Sequence, residues 1–464
     1  MDCHILLVTF PAQGHINPSL QFAKRLINIG AQVTFSTSLS AIRRMMNNPT
    51  PPITNGLNLV PFSDGYDDGW NMSDGIQNFV SAFRHRGSEA VASLISDKAS
   101  QGHPFAHVVY TTFVPWVGHV ARDLQVPSTL LWIQPATTFD IYYYYFTGYE
   151  EIFKKGGDDD AIELPGLSLL SRHDIPTYIL SSSTTFDFAL PHYKEHVEIL
   201  ENEITKRPLV LVNTFDAFES KPLIAINKVN MLGIGPLIPS AFLDGKDPSD
   251  TSFGGDLIQS NKGYYADWLN MKEDSSVIYV AFGSYSELSK RQMEEIGKGL
   301  LKSKRPFLWV IRATKSGEEM LFSSKEELEK QGMIVPWCSQ VEVLSHKAVG
   351  CFVTHCGWNS SMEGLASGVP MVLFPLWSDQ GTNAKLMEED GKIGVRVAAN
   401  GDGIVEGDEI VRCLENVMGE GEKGVELRSK AKEWKNLAKE AVMEGGSSDV
   451  NLRVFLDHVV GGNH

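Results

Sequence analysis

The chain lacks the features that mark several large protein classes. Its 464 residues hold five cysteines (Cys3, Cys338, Cys351, Cys356, Cys413), an odd and widely scattered set. That excludes a disulfide framework and fits a reducing compartment. Positive charge is scarce: 41 Lys and Arg stand against 57 Asp and Glu, a formal net charge of −16. A general nucleic-acid binder carries a basic face, so that class is excluded. No run reaches the roughly 18 consecutive apolar residues that indicate a membrane span. The opening MDCHILLVTF has neither a basic n-region nor a small-residue cleavage site. No secretory signal is expected, and the chain is read as cytoplasmic. No short internal repeat occurs. No acidic pair is spaced to converge on a divalent ion, so no metal is expected.

What is present is a globular composition. Hydrophobic residues make up 42% of the chain, enough for a substantial core. At roughly 100–200 residues per domain, the length predicts two or three domains. The first half alternates short apolar strands with helical patterns. Residues 4–10, 32–36, 57–62, 107–110, 128–132 and 209–213 read as strands. Residues 11–18, PAQGHINP, read as a loop, and 19–29 as an amphipathic helix closed by Gly30. From Pro239 the sequence PSAFLDGKDPSDTSFGG loses periodicity and reads as a linker over 239–256. Alternation then resumes, with strands over 276–282, 306–311, 333–336, 350–354, 371–374 and 394–397. Helices are expected over 289–303, 359–366 and 407–444, and a final one within 446–464. This is an α/β pattern that predicts doubly wound parallel sheets covered on both faces, one in domain 1–238 and one in 257–445. The run Asp158–Asp160 reads as a solvated loop. Tyr142–Tyr145 would face all sides of a helix, some lining an apolar pocket and others packing in a core.

The most informative stretch runs from Trp337 to Gln380, WCSQVEVLSHKAVGCFVTHCGWNSSMEGLASGVPMVLFPLWSDQ. A strand ends at Thr354, His355-Cys356-Gly357 makes a sharp turn, and a helix follows. A helix N-terminus placed there offers free N–H groups and a positive dipole end, a ready site for a diphosphate. Gly357 lets a ligand approach the backbone, and Asn359 and Ser360 add donors. His355 can hydrogen-bond a phosphate oxygen, and Glu363 suits ribose hydroxyls. Asp379 and Gln380 follow another strand end, where a doubly wound sheet gathers its ligand contacts, and can grip sugar hydroxyls. Trp337 offers a flat face to a base.

With these residues in place, the stretch resembles the signature box of plant UDP-sugar glycosyltransferases, family 1. The matching positions are Trp337, Gln340, His346, His355, Gly357, Trp358, Asn359, Ser360, Glu363, Pro375, Asp379 and Gln380. The resemblance extends along the chain through FPAQGHINP, NTFDAFE at 213–219, VAFGS at 280–284 and EGGSS at 444–448. SDGYDDG at 63–69, WIQPA at 132–136 and the residues after Gly235 are similar to the group with crocetin and auxin glucose-ester-forming enzymes and anthocyanin 5-O-glucosyltransferases.

The resemblance implies a GT-B fold: two facing Rossmann-like domains with an interdomain cleft, the N-terminal one for the acceptor, the C-terminal one for the donor. The last helix is expected to cross back to the first domain. It also implies that Trp337 stacks on uracil, Gln340 helps hold the nucleotide and Glu363 binds ribose. His355, Asn359, Ser360 and Ser284 bind the diphosphate, and Trp358, Asp379 and Gln380 contact the sugar. Cys338 and Gly357 complete the donor set. Gln380 with Trp358 points to UDP-glucose as donor substrate, with no bound cofactor and a monomer as the expected state.

His15 follows the first strand, in the place of a base that takes a proton from an attacking hydroxyl. Direct displacement would invert the anomeric centre to a β-glucoside. Many relatives carry an Asp after the fourth strand in a YD-x-x-x-P-W context, where this chain reads VVYTTFVPW. Thr111 stands at that place, and a neutral hydroxyl supports an imidazolium far less than a carboxylate does. A carboxylic acid acceptor has a pKa of about 4 and arrives ionised. The favoured product is therefore a glucose ester; the alternative is O-glucosylation of a phenol or flavonoid, and a non-catalytic binding protein is the remote third reading. Acceptor-contact candidates are Phe10, Gln13, Phe83, Thr112, Trp116, Gln134, Tyr142 and Tyr145, with Leu376 and Trp377 from the second domain. Core packing is the competing role for the aromatic ones.

Overall fold

A computed structural model describes residues 3–47, 55–71, 74–154, 161–180, 187–203, 207–254, 263–284, 286, 288–312 and 324–461. The run Asp158–Asp160 lies outside the described residues. Those described fall into two compact units, one within Met1–Pro239, Ser252–Gln259 and Glu440–His464, the other within Ser240–Thr251 and Ser260–Lys439.

The first unit is built on seven parallel strands: β1 (His4–Val8), β2 (Gln32–Ser36), β3 (Leu57–Leu59), β4 (His107–Thr111), β5 (Ser128–Trp132), β6 (Leu209–Val212) and β7 (Asn230–Gly233). Their order is β3-β2-β1-β4-β5-β6-β7, so the winding reverses between β1 and β4. Strand β7 was not anticipated. The apolar runs explain the burial of both faces. Ile5, Leu7, Val109 and Leu131 enter one core, and Leu6, Val8, Val108, Tyr110, Leu130 and Trp132 the other, as period-two alternation requires. The helix Ser447–Gly461 covers the first of these faces with Leu452, Phe455 and Val459. Ser448 Oγ donates to the Gly235 carbonyl at 2.6 Å and Asn451 Nδ2 to that of Gly233 at 2.9 Å.

The second unit carries six parallel strands: β8 (Val277–Ala281), β9 (Phe307–Val310), β10 (Met333–Val335), β11 (Val349–Thr354), β12 (Met371–Leu373) and β13 (Gly394–Arg396). Their order is β10-β9-β8-β11-β12-β13, and the reversal falls between β8 and β11. The helix Lys290–Ser303 is N-capped by Ser289, whose hydroxyl accepts from Gln292 N at 3.2 Å.

Two expectations of secondary structure are corrected. The segment 11–18 is not a loop: a helix runs Gln13–Asn28 from an N-cap at Ala12, and passes through Pro18. Pro18 withholds one N–H, and the apolar face, with Ile16, Leu20 and Phe22 buried, sustains the helix despite that. The helix expected over 407–444 is two helices, Gly407–Met418 and Glu422–Val442, separated at Gly419 and Gly421. The stretch read as a linker is organised by its own Ser and Asp side chains. Asp250 Oδ2 accepts from Ser240 N at 2.8 Å, and Ser240 Oγ from Asp247 N at 2.9 Å. No described helix is long and apolar enough to cross a membrane.

Candidate active site

In the first unit the switch point lies between β1 and β4, and both neighbouring turns carry polar groups. His15 sits in the first turn of the helix Gln13–Asn28. Its ring forms a triangle with Phe10 (centroids 5.4 Å apart) and Phe113 (5.0 Å), which also touch each other. Nδ1 stands 3.5 Å from the Thr112 hydroxyl, a long hydrogen-bond contact. The surrounding side chains remove water from the ring and push its pKa down to about 3. His15 is therefore a neutral imidazole at neutral pH.

Thr111 does not take the place expected of it. As the last residue of β4 its side chain turns into the fold, where its hydroxyl shares a hydrogen bond with that of Thr9 at 3.0 Å. Ser19 Oγ donates to Thr9 Oγ1 at 3.3 Å and to the His15 carbonyl at 2.7 Å. Thr112, one residue on and past the strand, is the hydroxyl that meets His15. Among the described residues no carboxylate is hydrogen-bonded to the His15 ring.

Of the acceptor candidates, Phe83, Trp116 and Tyr142 are buried core residues. Phe83 packs on Phe10 and Trp116, with centroids 5.4 and 6.0 Å apart. Trp116 lies so close to Gly87 that an added Cβ would stand 2.7 Å from its ring. Tyr142 stacks on Tyr193 at 4.1 Å. These rings build the wall behind the polar turn. Gln13, Gln134 and Tyr145 are half-buried. Gln134 Oε1 is buried with no partner among the described residues, so it is available to a donor brought by a ligand. Tyr143 and Tyr144, the middle of the tyrosine run, are buried as well.

In the second unit, β11 ends at Thr354, Cys356 takes a left-handed φ of 63°, and a helix runs Trp358–Ser367. Its N-cap Gly357 has no side chain to satisfy the first-turn N–H groups. A helix N-terminus of this kind, with its positive dipole end, suits an anion. His355 is wedged between two glycines: a Cβ on Gly283, or on Gly357, would stand 2.5 Å from its Nε2. Its Nδ1 is buried with no hydrogen-bond partner among the described residues. Burial pushes its pKa down to about 4, and the nearby Arg312 guanidinium adds to this while a hydrogen bond to the Ala281 backbone opposes it. Ser284 is exposed just beyond β8, and its carbonyl accepts from Arg312 Nη1 at 3.0 Å.

A second group lies around Gln340. Its Nε2 donates to Ser360 Oγ at 2.8 Å and to Glu363 Oε2 at 2.9 Å, and Tyr279 OH donates to its Oε1 at 3.3 Å. Tyr279 OH also lies 3.4 Å from Cys338 Sγ, and burial pushes that thiol up to about 12. Cys338 is therefore a neutral packing group. Trp337 is half-buried in the loop after β10. The loop after β12 is tied to the His355 turn by Asn383, whose Nδ2 donates to the Cys356 carbonyl at 2.8 Å and to Asp379 Oδ2 at 3.1 Å. Gln380 Oε1 accepts from the Leu376 and Trp377 amides at 2.8 and 3.1 Å, which leaves its NH₂ end to donate. Trp377 Nε1 donates to Ser286 Oγ at 3.4 Å, and Asn359 and buried Trp358 open the helix.

Thr9, Ser19 and Phe113 around His15, and Tyr279, Gly283 and Arg312 around the second site, were not anticipated as individual residues. Phe113 and Gly283 carried a signal in their positions within VYTTFVPW and VAFGS. Arg312 and Tyr279 carried none, since a lone basic or aromatic residue at a strand end is ordinary.

Two Rossmann-like units, one with a helix opening at Gly357 and the other with an imidazole at its switch point, match a group transferase of the GT-B type. The comparisons agree. Residues 257–421 match the model of the UDP-glucoronosyl and UDP-glucosyl transferase family. The chain is 56% identical to a phloretin 4'-O-glucosyltransferase of Malus domestica, over 98% of this chain and 97% of that one. It is 55% identical to a crocetin glucosyltransferase, chloroplastic, of Gardenia jasminoides (98% and 97%), and 54% identical to an anthocyanidin 3-O-glucoside 5-O-glucosyltransferase of Verbena hybrida (99% and 99%). The crystal structure of Os79 from O. sativa in complex with UDP superposes with a TM-score of 0.86 at 33% identity, covering 98% of this chain and 100% of that one. The chain belongs to the plant family 1 UDP-glycosyltransferases. It is a UDP-glucosyltransferase of small plant metabolites.

Proposed function

We propose that the preferred acceptor is a small apolar carboxylic acid, and the product its β-glucose ester. The observation that carries this reading is the partner of His15, a Thr112 hydroxyl. A carboxylate beside Nδ1 can only accept, which fixes the proton on Nδ1 and makes Nε2 a base. A hydroxyl can donate to Nδ1 instead. The proton then sits on Nε2, which can hold an ionised acceptor by a hydrogen bond. The depressed pKa of His15 points the same way, because a ring that resists protonation is a poor base for a phenol with a pKa of about 10.

In the reaction so drawn, the acceptor carboxylate oxygen attacks the anomeric carbon. The bond from that carbon to the diphosphate oxygen breaks, and UDP leaves with the electron pair. No proton has to be removed. Inversion at the attacked carbon follows from a single displacement. The helix N-terminus at Gly357 and the His355 turn suit the charge gathering on the diphosphate. By the family resemblance, Trp337 takes the uracil, Gln340 and Glu363 the ribose side, His355, Asn359, Ser360 and Ser284 the diphosphate, and Trp358, Asp379 and Gln380 the glucose. In the first unit the acceptor meets Gln13, Thr112 and Gln134, with Phe83, Trp116 and Tyr142 behind them.

The Gardenia relative supports an acid acceptor, crocetin being a dicarboxylic acid. The phloretin and anthocyanidin relatives favour a second reading, O-glucosylation of a phenolic hydroxyl, in which His15 removes the proton. We assign a monomer in the cytoplasm, in keeping with the five unpaired cysteines. A fluorescent fusion found in chloroplasts, the compartment named for the Gardenia relative, would overturn the location.

Incubation with UDP-glucose and an equimolar mixture of plant carboxylic acids and phenols, followed by mass spectrometry and mild alkali, tests the acceptor. Mostly alkali-labile glucose esters are expected. Mostly alkali-stable glucosides would establish the phenolic reading.

A further inference from the structure

We propose that His196 is a positioning residue for glucosyl transfer: it holds the backbone at Thr112 so that the Thr112 hydroxyl meets His15. The relative geometry of the His15 imidazole and its hydroxyl partner is thereby set by a chain of contacts through the turn after β4.

The helix Ala189–Asn202 presents a row of rings to that turn. Phe188 at its N-cap, His192 and Tyr193 surround Phe113, with centroids 5.5, 6.3 and 5.6 Å away. His196, one turn further on, makes a short hydrogen bond from Nε2 to the Thr112 carbonyl. Its ring is stacked on Tyr110 at 5.8 Å, with planes 13° apart. It is fully buried, and its Nδ1 has no partner among the described residues. A carbonyl can only accept, so the proton is on Nε2 and Nδ1 is bare. A buried ring nitrogen without a partner is costly, so this imidazole is not there for its own stability. What the contact secures is the turn, which Val114 N closes on the Thr111 carbonyl at 3.1 Å.

The helix is itself anchored from behind. Arg84, on the helix Ile76–Ser100, donates from both terminal nitrogens to Glu195 at 2.7 and 2.8 Å, and His119 Nε2 approaches the same carboxylate at 3.0 Å. Such a two-point bond fixes direction as well as distance. Glu195 is the neighbour of His196, so the anchored backbone aims the imidazole at Thr112. A shift of the carbonyl turns the Thr112 side chain, and a small misplacement of a catalytic partner is enough to lose rate.

The inference rests on His15 and Thr112 acting together, so its test uses whichever acceptor the enzyme turns over fastest. Failure of the acid assignment thus leaves it readable. We would compare His196→Phe, His196→Gln, Thr112→Val and the double variant His196→Phe/Thr112→Val. Phenylalanine keeps the stacking on Tyr110 and removes the donor, whereas the Gln Nε2 can replace His Nε2. His196→Phe should lose kcat about tenfold, a fraction of the roughly 10²–10⁴ that positioned acid–base groups supply, with KM for UDP-glucose unchanged. His196→Gln should recover most of it. In the Thr112→Val background the same change should cost less than about twofold, because contacts in one chain are not additive. Multiplying losses in the double variant, an unchanged kcat in His196→Phe, or a Gln variant as poor as Phe would overturn the proposal. If His196→Phe does not fold, His196→Asn, whose amide is too short to reach, takes its place in the cycle.

Discussion

Thr112 and His15 face one another, hydroxyl to Nδ1, at 3.5 Å, whereas the preceding Thr111 turns inward to Thr9. Two adjacent threonines therefore have different physical duties. One meets the imidazole proposed to act in the reaction, and the other belongs to a buried hydroxyl chain with Thr9 and Ser19.

Thr112→Val should lower kcat about tenfold while leaving thermal stability nearly unchanged, since the turn and its backbone bonds remain. Thr111→Val should do the reverse. It removes one of the two hydrogen bonds of the Thr9 hydroxyl, leaving that from Ser19, at a cost of about 1 kcal/mol, and leaves kcat close to wild type. Denaturant titration and steady-state kinetics on both variants check the pair.

Gly283→Ala should damage donor binding. Its Cβ would stand 2.5 Å from His355 Nε2, at a residue whose φ of +71° already disfavours a side chain. The imidazole must then move from the turn proposed to hold the diphosphate. An increase in the KM for UDP-glucose of about tenfold, equivalent to about 1.4 kcal/mol, is expected with an intact circular dichroism spectrum. An unchanged KM would remove His355 from the donor site.

The pH profile should lack the usual histidine limb. His15 is neutral in the fold because burial lowers its pKa to about 3, so falling pH protonates it only near that value. With an acid acceptor, kcat/KM should stay level through the region near 6.5 where a free imidazole titrates. A limb there that disappears in His15→Gln would show that the ring titrates normally.

Asp140 offers a stability test. Both its carboxyl oxygens are buried with no hydrogen-bond partner among the described residues, and burial raises its pKa well above the usual value, with Glu219 adding to the effect. The folded state keeps the proton that the unfolded chain releases above about pH 4, so this contribution is lost as pH rises towards the raised pKa. Asp140→Asn removes the linkage. Its advantage in melting temperature over wild type should be larger at pH 8 than at pH 5, measured by scanning fluorimetry.

Much of this was legible because it rests on local pattern. The runs at 32–36 and 128–132 are strands over those residues, since a parallel sheet covered on both faces needs unbroken apolar runs. The helix after Gly357 was legible from its turn, and it closes at Gly368 in the left-handed region. Strand β7 escaped notice because NMLG is too short and too mixed to stand out from a loop. The helix through Pro18 escaped because a proline rule was outweighed by burial of the face around it. Thr111 and Thr112 were confused for a geometric reason: one residue along a strand reverses the side chain, and no composition signal says where the strand stops. The buried roles of Phe83, Trp116 and Tyr142 depend on partners distant in sequence, such as Gly87 and Tyr193.

The central claim is that a hydroxyl, not a carboxylate, beside His15 suits the enzyme to an acceptor that arrives ionised. The direct measurement is kcat/KM for one carboxylic acid and one phenol, in wild type and in Thr112→Asp. The account predicts a wild type that favours the acid and a variant whose acid-to-phenol ratio falls by about tenfold or more through a gain on the phenol, as the new carboxylate turns Nε2 into a base. An unchanged ratio, or a wild type already faster on the phenol, would contradict it.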